Sequence, residues 1–514
     1  MLRTRWHYLL CLPLLLLGGE AFFHLVQVIA QRAAYPFELE WMEGGVLQQV
    51  LRVVQHQPLY GEPSLDFVPA LYMPLYYYFS AISMAFLGEN LFALRAVSVA
   101  ALAVIFLLVF LLAKRMARSN VAGVLAVLFC AAMYPHTRFW FDLARVDTLW
   151  VMWLMLAWWC LLCWREQPAL RAAFVCAFVS VLAFSTKQAS LFLLPFVLLT
   201  IVSWLGWRAV VAFLAFSAAI GLPLLCVLIV GTGGKFWFYT MQMASTHGVT
   251  LFGWRRFAEI VLWSVPSFLL LLPVFFWLIG KAWRERAGWF FLTAGFVFLS
   301  GLSRAYAGAF FNVLMPMYVC LAAVGAVVVV LLLDKFSASR SVVVGVLSVF
   351  VVTVLSLDIS RFRYDPATQL PTERDTVATQ FLLDKLRVVE GSVCVTSHGY
   401  LGWMAGKTFC AHNTQVTDVM TGSDTTMADL LRTDARKKII SGDYAVIVLD
   451  REKELLDLGL SFSEIPYKVT KIAYPDGGLR FPVNGYSPTF WLVFFDGWIC
   501  FSVRFVSCLC WRIF

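Results

Sequence analysis

Eleven apolar runs divide this chain, and they leave it no route to a water-soluble fold. They lie near residues 8–30, 93–113, 119–135, 147–164, 171–186, 188–205, 208–230, 258–280, 287–303, 309–333 and 341–358. About 20 mostly apolar residues wound as a helix cross the ~30 Å hydrocarbon layer of a bilayer. The pattern therefore predicts a polytopic α-helical membrane protein with about 11 transmembrane helices. Only 14% of the residues are charged, whereas a soluble domain carries roughly 25%, so the bilayer is the solvent. Many of the 20 tryptophans stand near the ends of apolar runs, where amphipathic rings favour the headgroup region.

The net charge of +9 does not point to nucleic acid, because the lysines and arginines form short clusters between apolar runs instead of one basic domain. With a cytoplasmic N-terminus, the clusters at Lys114/Arg115/Arg118, Arg165/Arg171, Arg208, Lys281/Arg284/Arg286 and Lys335/Arg340 fall on the inner side, as the positive-inside rule asks. That assignment needs the stretch from Val68 to Ala81 to be an interfacial or re-entrant helix, not a span. Its two prolines and four tyrosines suit an interface. The run from Tyr8 to about Ala30 is too long for the apolar region of a signal peptide, and no small-residue cleavage site follows it, so it reads as a retained first helix.

The outer side then receives the long loop 31–92, several short loops and everything after about residue 359. We divide the chain into a membrane domain, 1–358, a small extracytoplasmic α/β domain, 359–489, and an apolar tail, 490–514, that is either an interfacial helix or an atypical terminus. In the α/β domain a helical pattern (Val377 to Val389) precedes Val393-Cys-Val-Thr, and Tyr444-Ala-Val-Ile-Val-Leu-Asp follows later. It has no glycine-rich nucleotide loop, so it is assigned to substrate shaping or to packing on the membrane part. Cys394 and Cys410 form either a disulfide or a reduced pair. With His398 and His412 they make a crude nitrogen and sulfur set, but without the short paired spacing of structural zinc sites. No cofactor or metal is expected.

Three carboxylates crowd the start of the outer loop in Glu38-Leu-Glu-Trp-Met-Glu-Gly-Gly. Helical spacing places Glu40 and Glu43 on one face, and like charges held together raise the pKa of one member into the range of a general base. Cations that could meet an anionic group at interface depth are Arg145, Lys187 and Arg304. Lys187 stands between two apolar runs with no cytoplasmic cluster beside it, and a charge in such a place is a functional candidate unless it snorkels to the interface. Asp147 either orients Arg145 or touches a sugar.

At this point the sequence resembles the GT-C glycosyltransferases, in the branch of the protein O-mannosyltransferases, lipid A aminoarabinose transferases and RgtA/B/C/D-like enzymes. The resemblance rests on Glu40, Glu43-Gly44, Leu47, Gln57-Pro58-Leu59-Tyr60, Pro74-Leu75-Tyr76-Tyr77 and Arg95-Ala-Val-Ser98, in family order over about 70 residues. It departs at Met42, where the family has the first member of an adjacent Asp-Glu pair, and at His56, where glycine is frequent. It implies sugar transfer from a polyprenyl-phosphate donor to a lipid, glycan or protein acceptor of the cell envelope. The membrane would be the bacterial inner (plasma) membrane, with the chemistry on its outer face.

For individual residues, the resemblance nominates Glu43 first and Glu40 second as the base. Topology and the charge of the leaving group put Arg145, Lys187 and Arg304, with Arg255 or Arg256 as further candidates, at the donor phosphate; the resemblance adds the Lys187-Gln188 pair, and Asp147, Asn312, Tyr60 and Tyr76 are assigned to orienting substrate. Asn312 falls in a Gly308…Asn312…Pro316 pattern also seen in these enzymes. A transporter or flippase is the competing class, as is a non-catalytic component of a polysaccharide machinery. Transporters commonly show internal repeats with matching broken helices, and none is visible here.

Overall fold

The computed structural model of the chain describes residues 6–280, 282–422, 424–451, 453–461, 463–471, 481–483 and 491–495. All eleven apolar runs are helical. Among the described residues eight helices are long and apolar enough to cross a membrane, or nine if one sharply bent pair counts as a single span. The chain is thus a polytopic helical membrane protein. The named elements of the first half are α1 (Leu12–Arg32), α2 (Glu43–Val54), α3 (Leu75–Leu87), α4 (Leu91–Ala117), α5 (Asn120–Ala132), α6 (Val146–Glu166), α7 (Leu170–Thr186), α8 (Leu194–Leu205) and α9 (Trp207–Gly231).

Three expected spans come out differently. The run 258–280 is two helices, Leu251–Ser264 and Pro266–Leu278, that meet at 86°. Pro266 has no N–H to continue the ladder, and its ring drives the preceding residue out of the helical region. Val265 accordingly sits at φ −140°, ψ 43°. The run 171–186 becomes α7, only 17 residues long. The run 287–303 lies inside the helix Trp283–Ala305, whose first turn carries Arg284, Glu285 and Arg286. The segment set aside as re-entrant contains α3, whose 13 residues reach about 20 Å at 1.5 Å per residue.

The span Phe311–Ser339 is the axis of the bundle: 94% of its apolar window is buried, against 6% for α9. Around that axis pack α4, α5 and the helices Pro266–Leu278, Trp283–Ala305 and Val342–Arg361. Helix α9 shows Leu222, Val227 and Val230 on its surface, as a helix facing lipid must.

The C-terminal part carries one four-stranded sheet in the order β1 (Val393–Val395), β2 (Val446–Leu449), β4 (Trp491–Phe495), β3 (Tyr467–Lys471). β1 and β2 are parallel, with Val393 opposite Val446, and β4 runs antiparallel to β2 and to β3. A parallel pair needs a long crossover, which the helices Asn413–Thr421 and Thr425–Ile440 supply. β1 and β2 are buried throughout, as parallel strands covered on both faces are. β4 corrects the placement of the last domain boundary, because Trp491–Phe495 is an inner strand of this sheet and not part of a separate tail. Phe490 and residues 496–514 lie outside the described residues.

Cys394 and Cys410 form a disulfide with Cα atoms 5.1 Å apart. It closes a segment of 16 residues, and a closed loop of about 15 residues contributes roughly 3 kcal/mol by restricting the unfolded chain. Cys394→Ser with Cys410→Ser should therefore speed proteolysis of the sheet domain under mild denaturant, leaving cleavage of the membrane helices unchanged.

Candidate functional site

The first long loop begins where α1 ends, and a single arginine gives it its shape. Arg95, on α4, directs N–H groups to the carbonyls of Tyr35 (2.6 Å) and Phe37 (2.7 Å). It also grips Glu43 in two-pronged fashion, Nε to Oε1 at 3.0 Å and an Nη to Oε2 at 2.6 Å. Both side chains are fully buried. Glu43 Oε1 also accepts from Ala144 N (2.8 Å), and Oε2 from Leu39 N (2.7 Å). Each oxygen thus holds two donors, which fills the acceptor capacity of a carboxylate.

Glu40 is arranged differently. Oε2 faces Arg145 Nη1 at 3.3 Å and accepts from Met42 N at 3.3 Å. Oε1 is buried and has no partner among the described residues. Burial pushes the Glu40 carboxyl up to about 7, against the opposing pull of the Arg145 charge. Arg145 precedes α6, lies 5.4 Å from the centre of the Trp140 ring and places Nη2 3.5 Å from the Tyr72 hydroxyl. Its Nε and the Tyr77 hydroxyl are buried and likewise unpaired among the described residues.

Two residues on, in the first turn of α6, Asp147 accepts from Lys187 Nζ at 2.7 Å and from Trp140 Nε1 at 3.1 Å, with the Asn312 side chain close by. Lys187 reaches it because the chain breaks between α7 and the next helical turn, where Lys187 is extended at φ −153°, ψ 121°. Its ammonium also stands 4.9 Å from the Trp150 ring centre and 5.7 Å from that of Tyr72. Two cation–carboxylate pairs, Glu40–Arg145 and Asp147–Lys187, therefore lie side by side with Tyr72 against both cations.

The expected site residues divide into two groups. Glu40, Arg145, Asp147, Lys187 and Asn312 come together in this cluster. Glu43, Gln188, Tyr60 and Tyr76 serve as its frame, and Arg304 belongs to neither group. Gln188 donates its amide to the carbonyls of Leu71 (2.7 Å) and Thr240 (3.0 Å), stapling the Tyr72 segment in place. The Tyr60 hydroxyl donates to the Tyr72 carbonyl (2.7 Å), and that of Tyr76 to the Leu94 carbonyl (3.1 Å). Arg304 stands at the end of its helix, 6.0 Å from the Phe311 ring centre, and among the described residues it bonds to neither pair. Tyr72 and Tyr77 sit in the same tyrosine-rich stretch as Tyr76, and the sequence does not distinguish them because the face each presents depends on where α3 begins. Arg95 was read as a motif position, and Arg32 and Asp142, a second fully buried ion pair, carried no motif at all.

The four residues that suggested a crude metal set are each committed elsewhere. The cysteines form the disulfide, and His412 donates to the Trp41 carbonyl at 3.2 Å while accepting from Thr414 N. His398 stands between Glu38 Oε2 (2.5 Å) and Asp450 Oδ2 (3.0 Å).

In fold the chain is similar to ArnT and to an archaeal oligosaccharyltransferase. Residues 68–230 match the family model of dolichyl-phosphate-mannose-protein mannosyltransferases. Among solved structures, the chain is similar to ArnT from Cupriavidus metallidurans bound to undecaprenyl phosphate, with a TM-score of 0.54 and 11% identity over 96% of this chain and 98% of that one. The apo state of the same protein gives a TM-score of 0.56 and 12% identity over 93% and 97%. The Archaeoglobus fulgidus oligosaccharyltransferase tethered to an acceptor peptide gives 0.51 and 11% over 92% and 73%. No curated protein matches the chain by sequence.

The filled coordination of Glu43 makes it a structural anion. Glu43→Gln should cost about 3–5 kcal/mol by leaving Arg95 buried without its counter-charge, seen as a large loss of folded protein in detergent by gel filtration. Glu40→Gln should leave that yield within twofold of wild type.

Proposed function

We propose that this protein transfers a sugar from a polyprenyl-phosphate donor to a lipid, glycan or protein acceptor at the extracytoplasmic face of the membrane, with Glu40 as the general base. One observation carries this reading: Glu40, paired with the buried Arg145, keeps a buried oxygen that has no partner among the described residues, on the loop where Glu43 has no lone pair left. The sequence order of preference, Glu43 before Glu40, is thereby reversed. A buried polar atom left unpaired costs about 1–3 kcal/mol, an expense a binding site recovers when its ligand arrives.

In the proposed step an acceptor hydroxyl gives its proton to Glu40 Oε1. Its oxygen forms the new bond to the anomeric carbon as the bond from that carbon to the lipid phosphate breaks, and the electron pair leaves on the phosphate. Arg145 and Lys187 offset the charge of that leaving group, as cations aimed at a developing anion do. Displacement from the face opposite the phosphate inverts the anomeric centre. The match to mannosyltransferases that use dolichyl phosphate and the likeness to a structure holding undecaprenyl phosphate support a lipid-phosphate donor. The disulfide supports an oxidising, extracytoplasmic compartment, the periplasmic side of a bacterial inner membrane.

The test is transfer by purified protein in nanodiscs, supplied with a panel of undecaprenyl- and dolichyl-phosphate sugars, together with mass analysis of envelope lipids and glycans after gene deletion. Loss of general base catalysis is worth about 10²–10⁴-fold, so Glu40→Gln should lower kcat by that factor with undecaprenyl-phosphate binding within threefold. Near-normal turnover in that variant would overturn the assignment. Lys187→Met should weaken binding of undecaprenyl phosphate by at least tenfold. Because the base must be ionised and burial holds its carboxyl near 7, kcat should fall about tenfold per pH unit below about 7 and level off above it.

A further inference from the structure

Glu40 makes few bonds of its own, so its backbone decides where its carboxylate points. That backbone is gripped on both sides by the sheet domain. Glu38 N donates to the Tyr400 hydroxyl at 3.2 Å, Val483 N donates to the Leu39 carbonyl at 3.1 Å, and His412 donates to the Trp41 carbonyl at 3.2 Å. The Glu38 side chain is the firmest of these ties. Oε1 accepts from Gly44 N at 2.7 Å, closing the loop onto the start of α2, while Oε2 meets His398 at 2.5 Å. His398 is backed in turn by Asp450, whose N–H donates to Glu454 Oε2 at 3.2 Å. Glu454 also accepts from Thr396 and, at 3.0 Å, from Ser397. Glu38, His398, Asp450 and Glu454 are all buried. The fit leaves no slack: a Cβ on Gly44 would stand 2.5 Å from both Glu38 Oε1 and the Tyr400 ring.

We propose that Glu38 and His398 are a positioning pair through which the C-terminal domain fixes the backbone on either side of Glu40 and aims its free oxygen at the acceptor. The inference rests on Glu40 as base, but the placement of residues 38–45 can be measured without turnover. Two carboxylates and an imidazolium taken from water together are a costly way to join two surfaces. Apolar contacts join them as well or better, while removing one charge strands the rest. What the pair supplies instead is direction, a fixed line from β1 and β2 through His398 to the loop.

The test is hydrogen–deuterium exchange on the full-length protein in nanodiscs. Glu38→Ala and His398→Asn should raise exchange of the amides of residues 38–45 at least tenfold while α4 and α5 stay protected. Tyr400→Phe, a mild change, should raise exchange at Glu38 alone. Glu38→Gln keeps both contacts if His398 turns neutral, since its carbonyl oxygen accepts from Gly44 and its amide donates to Nδ1, so protection should return to within threefold of wild type. In the transfer assay, Glu38→Ala should lower kcat at least tenfold with the KM for donor within threefold, and Glu38→Gln should recover most of it. Unchanged protection at 38–45 in Glu38→Ala and Tyr400→Phe, or deprotection spread evenly through the membrane helices, overturns the pair. Glu40→Gln separates the two ideas, because full turnover there removes the base yet leaves the exchange result to judge the positioning.

Discussion

The buried pair of Arg95 and Glu43 is the constraint from which the first long loop and everything packed around it are set. A guanidinium has five N–H groups, and burying it is tolerable only when they are met. Here they meet two backbone carbonyls of the first loop, both oxygens of Glu43 and, at 3.4 Å, the Ala33 carbonyl. Glu43 extends the same network to Leu39 and Ala144. One ion pair thus joins the end of α1, the loop, the start of α2, α4 and the segment entering α6. Glu40 and Arg145, three residues before Glu43 and one after Ala144, are carried into contact by it.

A second peg works in parallel. Arg32, in the last turn of α1, bonds both oxygens of Asp142 at 2.7 and 2.5 Å and the Tyr134 hydroxyl at 2.6 Å. It fixes the short segment between α5 and α6 that ends in Arg145. Fully satisfied pairs of this kind hold backbone in place, whereas others, Glu40–Arg145 above all, keep polar atoms that have no partner among the described residues. The distinction between architectural and chemical charges therefore lies in how many lone pairs and N–H groups remain, not in which residue types are present.

The sheet domain belongs to this arrangement. Besides its hold on residues 38–41, it reaches the second bend of the loop, where Leu65 N donates to Asp434 at 2.7 Å, the Leu65 carbonyl accepts from Ala411 N, and Asp66 pairs with Lys438 and accepts from Tyr444. Its helix Gly399–Met404 packs on α2. The disulfide closes residues 394–410, with His398 inside the ring and His412 two residues beyond it, so it steadies both histidines that touch the loop.

Apolar periodicity alone determined that this chain crosses a membrane many times, because the cost of placing charge in hydrocarbon leaves few other ways to dispose of such runs, and all eleven proved helical. The bend at Val265 escaped that logic, since hydropathy averages over a proline that geometry does not, and so did the strand Trp491–Phe495, which a charge-interrupted apolar stretch resembles less than it resembles a poor helix. The sequence likewise brought Glu40, Arg145, Asp147, Lys187 and Asn312 under suspicion through residue type, position and family likeness. Only the tertiary structure decided how each is bonded, because the state of a carboxylate depends on the donors that reach it. For Glu43 these come from Leu39, Arg95 and Ala144, and for Glu38 from Gly44 and His398. Partners so far apart along the chain meet only when the helices have packed.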